Sequence, residues 1–93
     1  MSEPTYDPNS LATIMRYILD KGYCDHPTLV ELRQKVLRVH NSQSKKGNVG
    51  VNFVGLAVLK RIENGYKPET VLKLQNKTLL MEARRLQADG DTG

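Results

Sequence analysis

Apolar residues recur along this chain at helical spacing rather than in alternation. Leu11, Met15 and Ile18 recur with Ile14 and Leu19, while Thr13, Arg16 and Asp20 share the opposite side. This predicts a first helix starting at Asp7-Pro8, where Asp can accept from free backbone N–H groups and Pro suits the first turn. Lys21-Gly22 should end it. A second stripe, Leu29, Leu32, Val36 and Val39 with Val30 and Leu37 beside it, predicts a helix from about Asp25-His26-Pro27-Thr28 to His40 or Asn41. Thr28 and Glu31 have capping-box spacing, and Glu31 and Lys35 form an i,i+4 pair in the favoured order. Residues 41–50 are polar and basic and predict a long loop. Val51 to Ile62 is apolar nearly all round, which marks a buried helix, and the stretch stops at Gly65. Its start is open, because Val49 to Phe53 alternates. A fourth helix is expected from Lys67-Pro68-Glu69 to about Ala88, with Leu72, Leu79, Ala83 and Leu86 on one face.

These elements predict one all-α domain, a four-helix bundle or two packed helical hairpins, with residues 1–6 and 89–93 disordered. Ile14, Ile18, Leu32, Val36, Val58, Ile62, Leu72 and Leu79 lie mid-stripe and are expected to be deeply buried. Gly22-Tyr23 precedes Pro27, and Gly65-Tyr66 precedes Pro68. A similar run comes after each, Leu29 to Lys35 and Val71 to Lys77, so the halves read either as an internal duplication or as ordinary helix punctuation.

Charge sharpens the picture. Residues 1–31 carry Arg16 and Lys21 against Glu3, Asp7, Asp20, Asp25 and Glu31. Residues 32–62 carry Arg33, Lys35, Arg38, Lys45, Lys46, Lys60 and Arg61 and no acid. Bases and acids balance in the last third. A basic middle behind an acidic front suits an anionic partner, nucleic acid first, or is simply an uneven solvated surface. The apolar fraction of 39% and charged fraction of 26% are those of a folded domain. No apolar run is long enough to span a membrane. Met1-Ser2-Glu3-Pro4 does not open a secretory signal, and Cys24 has no second cysteine to pair with, so a cytoplasmic, reducing location is expected.

Candidate chemistry is sparse. Cys24, Asp25, His26 and His40 lack the paired spacing of a zinc site, so no metal and no cofactor is expected. No Gly-rich phosphate loop, paired acids or nucleophile motif is present, and the expectation is that the protein is not an enzyme. Arg33 and His40 are two helical turns apart on the apolar side of the second helix. They either face a groove that receives a partner, or Arg33 snorkels and His40 lies past the helix end. Lys45 and Lys46 stand on the loop, where phosphate-contacting residues often sit. In the fourth helix Lys73, Lys77 and Arg84 line one edge. Leu74 and Met81, seven apart, form a second apolar seam that suggests contact with another chain.

Leu59-Lys-Arg-Ile-Glu-Asn-Gly-Tyr-Lys-Pro-Glu-Thr-Val-Leu-Lys-Leu74 resembles the second half of the phage-repressor type of helix-turn-helix domain. The matching residues are Arg61 to Gly65, Pro68, and Thr70 to Leu74. The resemblance implies that the helix ending at Gly65 lies in a DNA major groove. Its base-reading positions, residues 52–57, read Asn-Phe-Val-Gly-Leu-Ala, so it implies no base-contacting residue.

The sequence therefore points to a small basic accessory or regulatory protein that binds nucleic acid, or a nucleic-acid-bound protein, through Arg33, Arg38, His40, Lys45, Lys46, Lys60 and Arg61. The rival reading is an adaptor or inhibitor that docks on a larger enzyme through apolar seams, with Leu74 and Met81 at the interface. A homo-oligomer is a third.

Overall fold

The structure, a computed structural model, describes residues 10–43 and 49–92. These residues form an all-α domain of five packed helices: α1 (Leu11–Asp20), α2 (His26–Asn41), α3 (Val51–Glu63), α4 (Pro68–Lys73) and α5 (Asn76–Thr92). The fourth helix expected from sequence is thus two helices, and α5 continues to Thr92 where disorder from residue 89 was expected. Residues 1–6 and the Asp7-Pro8 helix start lie outside the described residues.

The helix ends show how local sequence sets the turns. Within the described residues α1 starts after Ser10, whose carbonyl accepts from the Ile14 N–H and the Thr13 hydroxyl. It closes at Gly22, where φ is 75°: the Gly22 N–H donates to Leu19 O and the Tyr23 N–H to Ile18 O. The end of α3 repeats this pattern. Gly65 has φ 103°, its N–H donates to Ile62 O, and the Tyr66 N–H donates to Arg61 O. Each glycine takes the left-handed backbone that lets the chain turn back on the last carbonyls. The two Gly-Tyr turns therefore share one hydrogen-bond geometry. The stretches after the turns differ, since α2 runs unbroken for 16 residues and its counterpart splits into α4 and α5.

At the start of α2 the capping residue is Asp25, whose carboxylate accepts from the Thr28 N–H at 3.0 Å, rather than Thr28 with Glu31. Hydrogen bonding to Thr28 holds the Asp25 carboxyl below the usual carboxylate range. Beyond α2, the Gln43 side-chain amide accepts from the Val49 N–H (2.6 Å) and donates to the Val49 carbonyl (2.9 Å). This two-way bond ties together the chain on either side of residues 44–48. Next to it the Gly50 N–H donates to Gln87 Oε1 on α5 at 3.1 Å, which fixes where α3 begins.

The core contains Ile14, Ile18, Leu32, Val36, Val58, Ile62 and Leu79, as the stripes predict, together with Val54, Leu59 and Ala83. Leu72 is the exception. It is half-buried, and its neighbour Val71 is fully buried, because α4 is a separate short helix with its own rotation. Consecutive helices pack together, α1 on α2 and α3 on α4 and α5, and the two sets join through α2 and α3, each of which touches all four other helices, while α1 touches α2 and α3. A helix that is apolar nearly all round has no face to give to water, so it takes the middle.

Lys35 is the buried charged side chain of the described residues. It does not pair with Glu31. Its Nζ donates to the Leu74 carbonyl at 2.6 Å and to Asn76 Oδ1 at 3.0 Å. Leu74 has the extended angles φ −66° and ψ 149°, so the helix stops there, and the Gln75 carbonyl starts α5 by accepting from the Thr78 and Leu79 N–H groups. The ammonium thus partners a carbonyl and an amide oxygen at the break. Burial first, and Arg38 second, push the Lys35 pKa below the ordinary lysine value.

Leu32→Ala should lower stability by about 2–5 kcal/mol, whereas Leu72→Ala, at a half-exposed position, should cost well under that. Thermal unfolding of the two variants checks the order. Lys35→Met keeps the apolar stem and removes the donor, leaving the Leu74 carbonyl without it. It should cost about 1–3 kcal/mol, with the fastest amide hydrogen exchange gained at residues 74–79.

Candidate functional site

Among the described residues the sequence-nominated cations line different depressions. Arg33 and Arg38 are exposed on α2, and His40 is half-buried near its end. Arg38 borders a small hollow with Glu31, Gln34, Lys35 and Leu72. Lys35 turns inward. Lys45 and Lys46 lie outside the described residues. Lys60 and Arg61, at the end of α3, line a different depression of about 610 Å³ that opens between α3 and α5.

Arg61 is not a free charge. Its Nε lies 2.8 Å from Glu82 Oε1 on α5, with both side chains largely buried. The N–H does not point along this line, so the contact is an ion pair without a directed hydrogen bond. The guanidinium also lies 5.2 Å from the centroid of the Tyr66 ring, within cation–π range. The third acid of the last third of the chain therefore compensates the acid-free middle, a pairing that only the approach of α3 and α5 creates.

The seam expected from Leu74 and Met81 does not form. Leu74 lies in the break before α5, half-buried against the core, so no single helix carries both residues. Met81 stands alone at 60% exposure on α5. Lys73 is likewise on α4, separate from Lys77 and Arg84. What α5 presents is Lys77, Arg84 and Met81 together with Arg85, the member missed in the sequence: all four are exposed and fall within about 100° of arc at helical pitch. These three cations and Lys60 take no ion pair among the described residues. Arg85 and Met81 also line the depression, with Lys60 across it. Tyr66 closes one side and is 43% exposed. A signal for the break was present in Gln75-Asn76, since Asn is a poor helix-interior residue. Placing α5 from Asn76 would have moved Lys73 out of the ridge and Arg85 in.

The other candidate groups are scattered. Cys24 is half-buried, and burial first and Asp25 second push its thiol pKa up, which makes it a poor nucleophile. His26 is exposed. Among the described residues no three His, Cys, Asp or Glu side chains gather in metal-binding geometry. No described helix is long and apolar enough to cross a membrane. Residues 52–57, which the helix-turn-helix resemblance would place against bases, are buried or half-buried in α3 at the centre of the domain. Comparison with known proteins adds no relative: no family model, curated protein or solved structure matches the chain.

Glu82→Gln should destabilise the fold by about 1–2 kcal/mol, between the values for exposed and buried pairs, because it leaves Arg61 largely buried without its counter-charge. Thermal unfolding of Glu82→Gln, Arg61→Met and the double variant measures the coupling. Additive losses would mean that the pair contributes nothing.

Proposed function

We propose that this is a non-enzymatic accessory protein that binds nucleic acid, or a protein already bound to it, through the outer face of α5 and the adjoining end of α3. The observation that carries this reading is the grouping of Lys77, Arg84 and Arg85 on one helical face beside Lys60, with Glu82 already engaged by Arg61. Like charges repel, so a face that keeps four unpaired cations together is completed by an anionic partner. Successive phosphates of a nucleic-acid backbone are such a partner, and a helix is a suitable carrier for residues that contact them. Arg33 and Arg38 on α2 add to the positive field, as do Lys45 and Lys46. The cytoplasm is the fitting location, where nucleic acid is present and the lone Cys24 stays reduced.

A second reading is favoured by one specific observation, the 60% exposure of Met81 beside Tyr66. An apolar centre with a basic rim also suits an adaptor or inhibitor that docks on an acidic protein surface.

Arg84→Ser combined with Arg85→Ser should weaken binding to a mixed-sequence duplex and to an RNA hairpin alike. The slope of log affinity against log salt should flatten by about 0.9 for each lost contact on duplex DNA. Anisotropy titrations across a salt series measure both. Absence of binding to either ligand at low salt would refute the nucleic-acid reading. For an acidic protein partner, the same substitutions should slow association more than they speed dissociation.

A further inference from the structure

We propose that the depression between α3 and α5 is a site for single-stranded nucleic acid, in which one unpaired base stacks on Tyr66 while the strand's phosphates run past Lys60 and Arg85. This rests on the nucleic-acid reading above and adds the class of strand. The Tyr66 ring is held before any ligand arrives. The Tyr66 backbone N–H donates to Arg61 O at 3.0 Å in the turn that ends α3, and the Arg61 guanidinium lies over one face of the ring, 5.2 Å from its centroid. Glu82 in turn holds that guanidinium from α5 at 2.8 Å. Tyr66 nevertheless remains 43% exposed at the edge of the depression. A preset, partly open aromatic ring is what base stacking uses, and it tolerates any base because every base has a flat π-face.

The rest of the depression fits the same ligand. Its volume of about 610 Å³ lies within the range of small-ligand sites, roughly 300–1,000 Å³, so it can admit a nucleotide. Met81 gives the base an apolar neighbour, and Lys60 and Arg85 supply charge to the phosphates on either side. A duplex keeps its bases stacked inside and presents only phosphates here. It can use the cations of α5 but not Tyr66. An acidic peptide would likewise use the cations but has no flat group matched to the ring.

The test compares an oligothymidylate strand with a duplex of mixed sequence, binding each to the full chain and to Tyr66→Ala, Tyr66→Leu and Tyr66→Phe. Tyr66→Ala and Tyr66→Leu should weaken strand binding by about 5-fold to 150-fold, the loss of one stacked base. Neither should change duplex binding, and Tyr66→Phe should keep the affinity for both. The chain has no tryptophan and four tyrosines, so the part of the tyrosine emission that disappears in Tyr66→Phe reads the stack. The strand should quench that part, so the quenching should fall in Tyr66→Phe although affinity is kept. Circular dichroism of each variant confirms that the helices remain. If strand and duplex bind equally and Tyr66→Ala changes neither, the stacking site is wrong while nucleic-acid binding stands. If neither binds at low salt, both readings fall. A polyglutamate chain that binds with the Tyr66 dependence expected of the strand would also overturn the inference.

Discussion

The burial of α3 over more than half its circumference is the constraint on which the rest of the architecture depends. Val54, Ala57, Val58, Leu59 and Ile62 point in different directions around one helix and are all buried. One partner helix could cover only part of that circumference. α1, α2, α4 and α5 each take a share, which holds the five helices together as one domain. The polar end of α3 escapes this enclosure. Lys60, Glu63 and Asn64 are exposed there, and the depression beside α5, lined by Lys60, Arg61 and Asn64, opens at that end.

The break at Leu74, held by Lys35, sets how the last two helices fit around the centre. A continuous helix from Pro68 to Thr92 would keep one direction throughout. With the chain interrupted at Leu74, α4 turns Val71 into the core and α5 turns Leu79 and Ala83 inward. The ammonium supports the break by donating to one oxygen on each side of Gln75. A buried lysine is costly unless it is fully hydrogen-bonded, and its lowered pKa reflects that cost. The same break sets the rotation of α5 and so determines which cations share its outer face.

Electrostatics and packing meet at the end of α3. Arg61 joins three elements at once: its backbone carbonyl accepts from the Tyr66 N–H, its guanidinium lies over the Tyr66 ring, and Glu82 approaches it from α5. Ordering Arg61 in this way takes one charge out of solution and leaves Lys60, Lys77, Arg84 and Arg85 exposed. The positive face is thus defined as much by the acid that is engaged as by the bases that are present.

Much of the fold was legible in the sequence because it depends on short-range chemistry. The stripes of Ile14 and Ile18, of Leu32 and Val36, and of Leu79 and Ala83 reflect helical periodicity. The turns at Gly22 and Gly65 reflect the conformational freedom of glycine. The all-round apolarity of Val51 to Ile62 already required a central position for that helix. The binding surface was less legible. A count of charges along the chain grouped Lys35 and Arg61 with the free cations, whereas each meets its partner across many residues: Lys35 at Leu74 and Asn76, Arg61 at Glu82. Charge is a property of sequence, but compensation of charge depends on distance in space. Only the packing of α2 on the α4–α5 break, and of α3 on α5, brings those groups within reach.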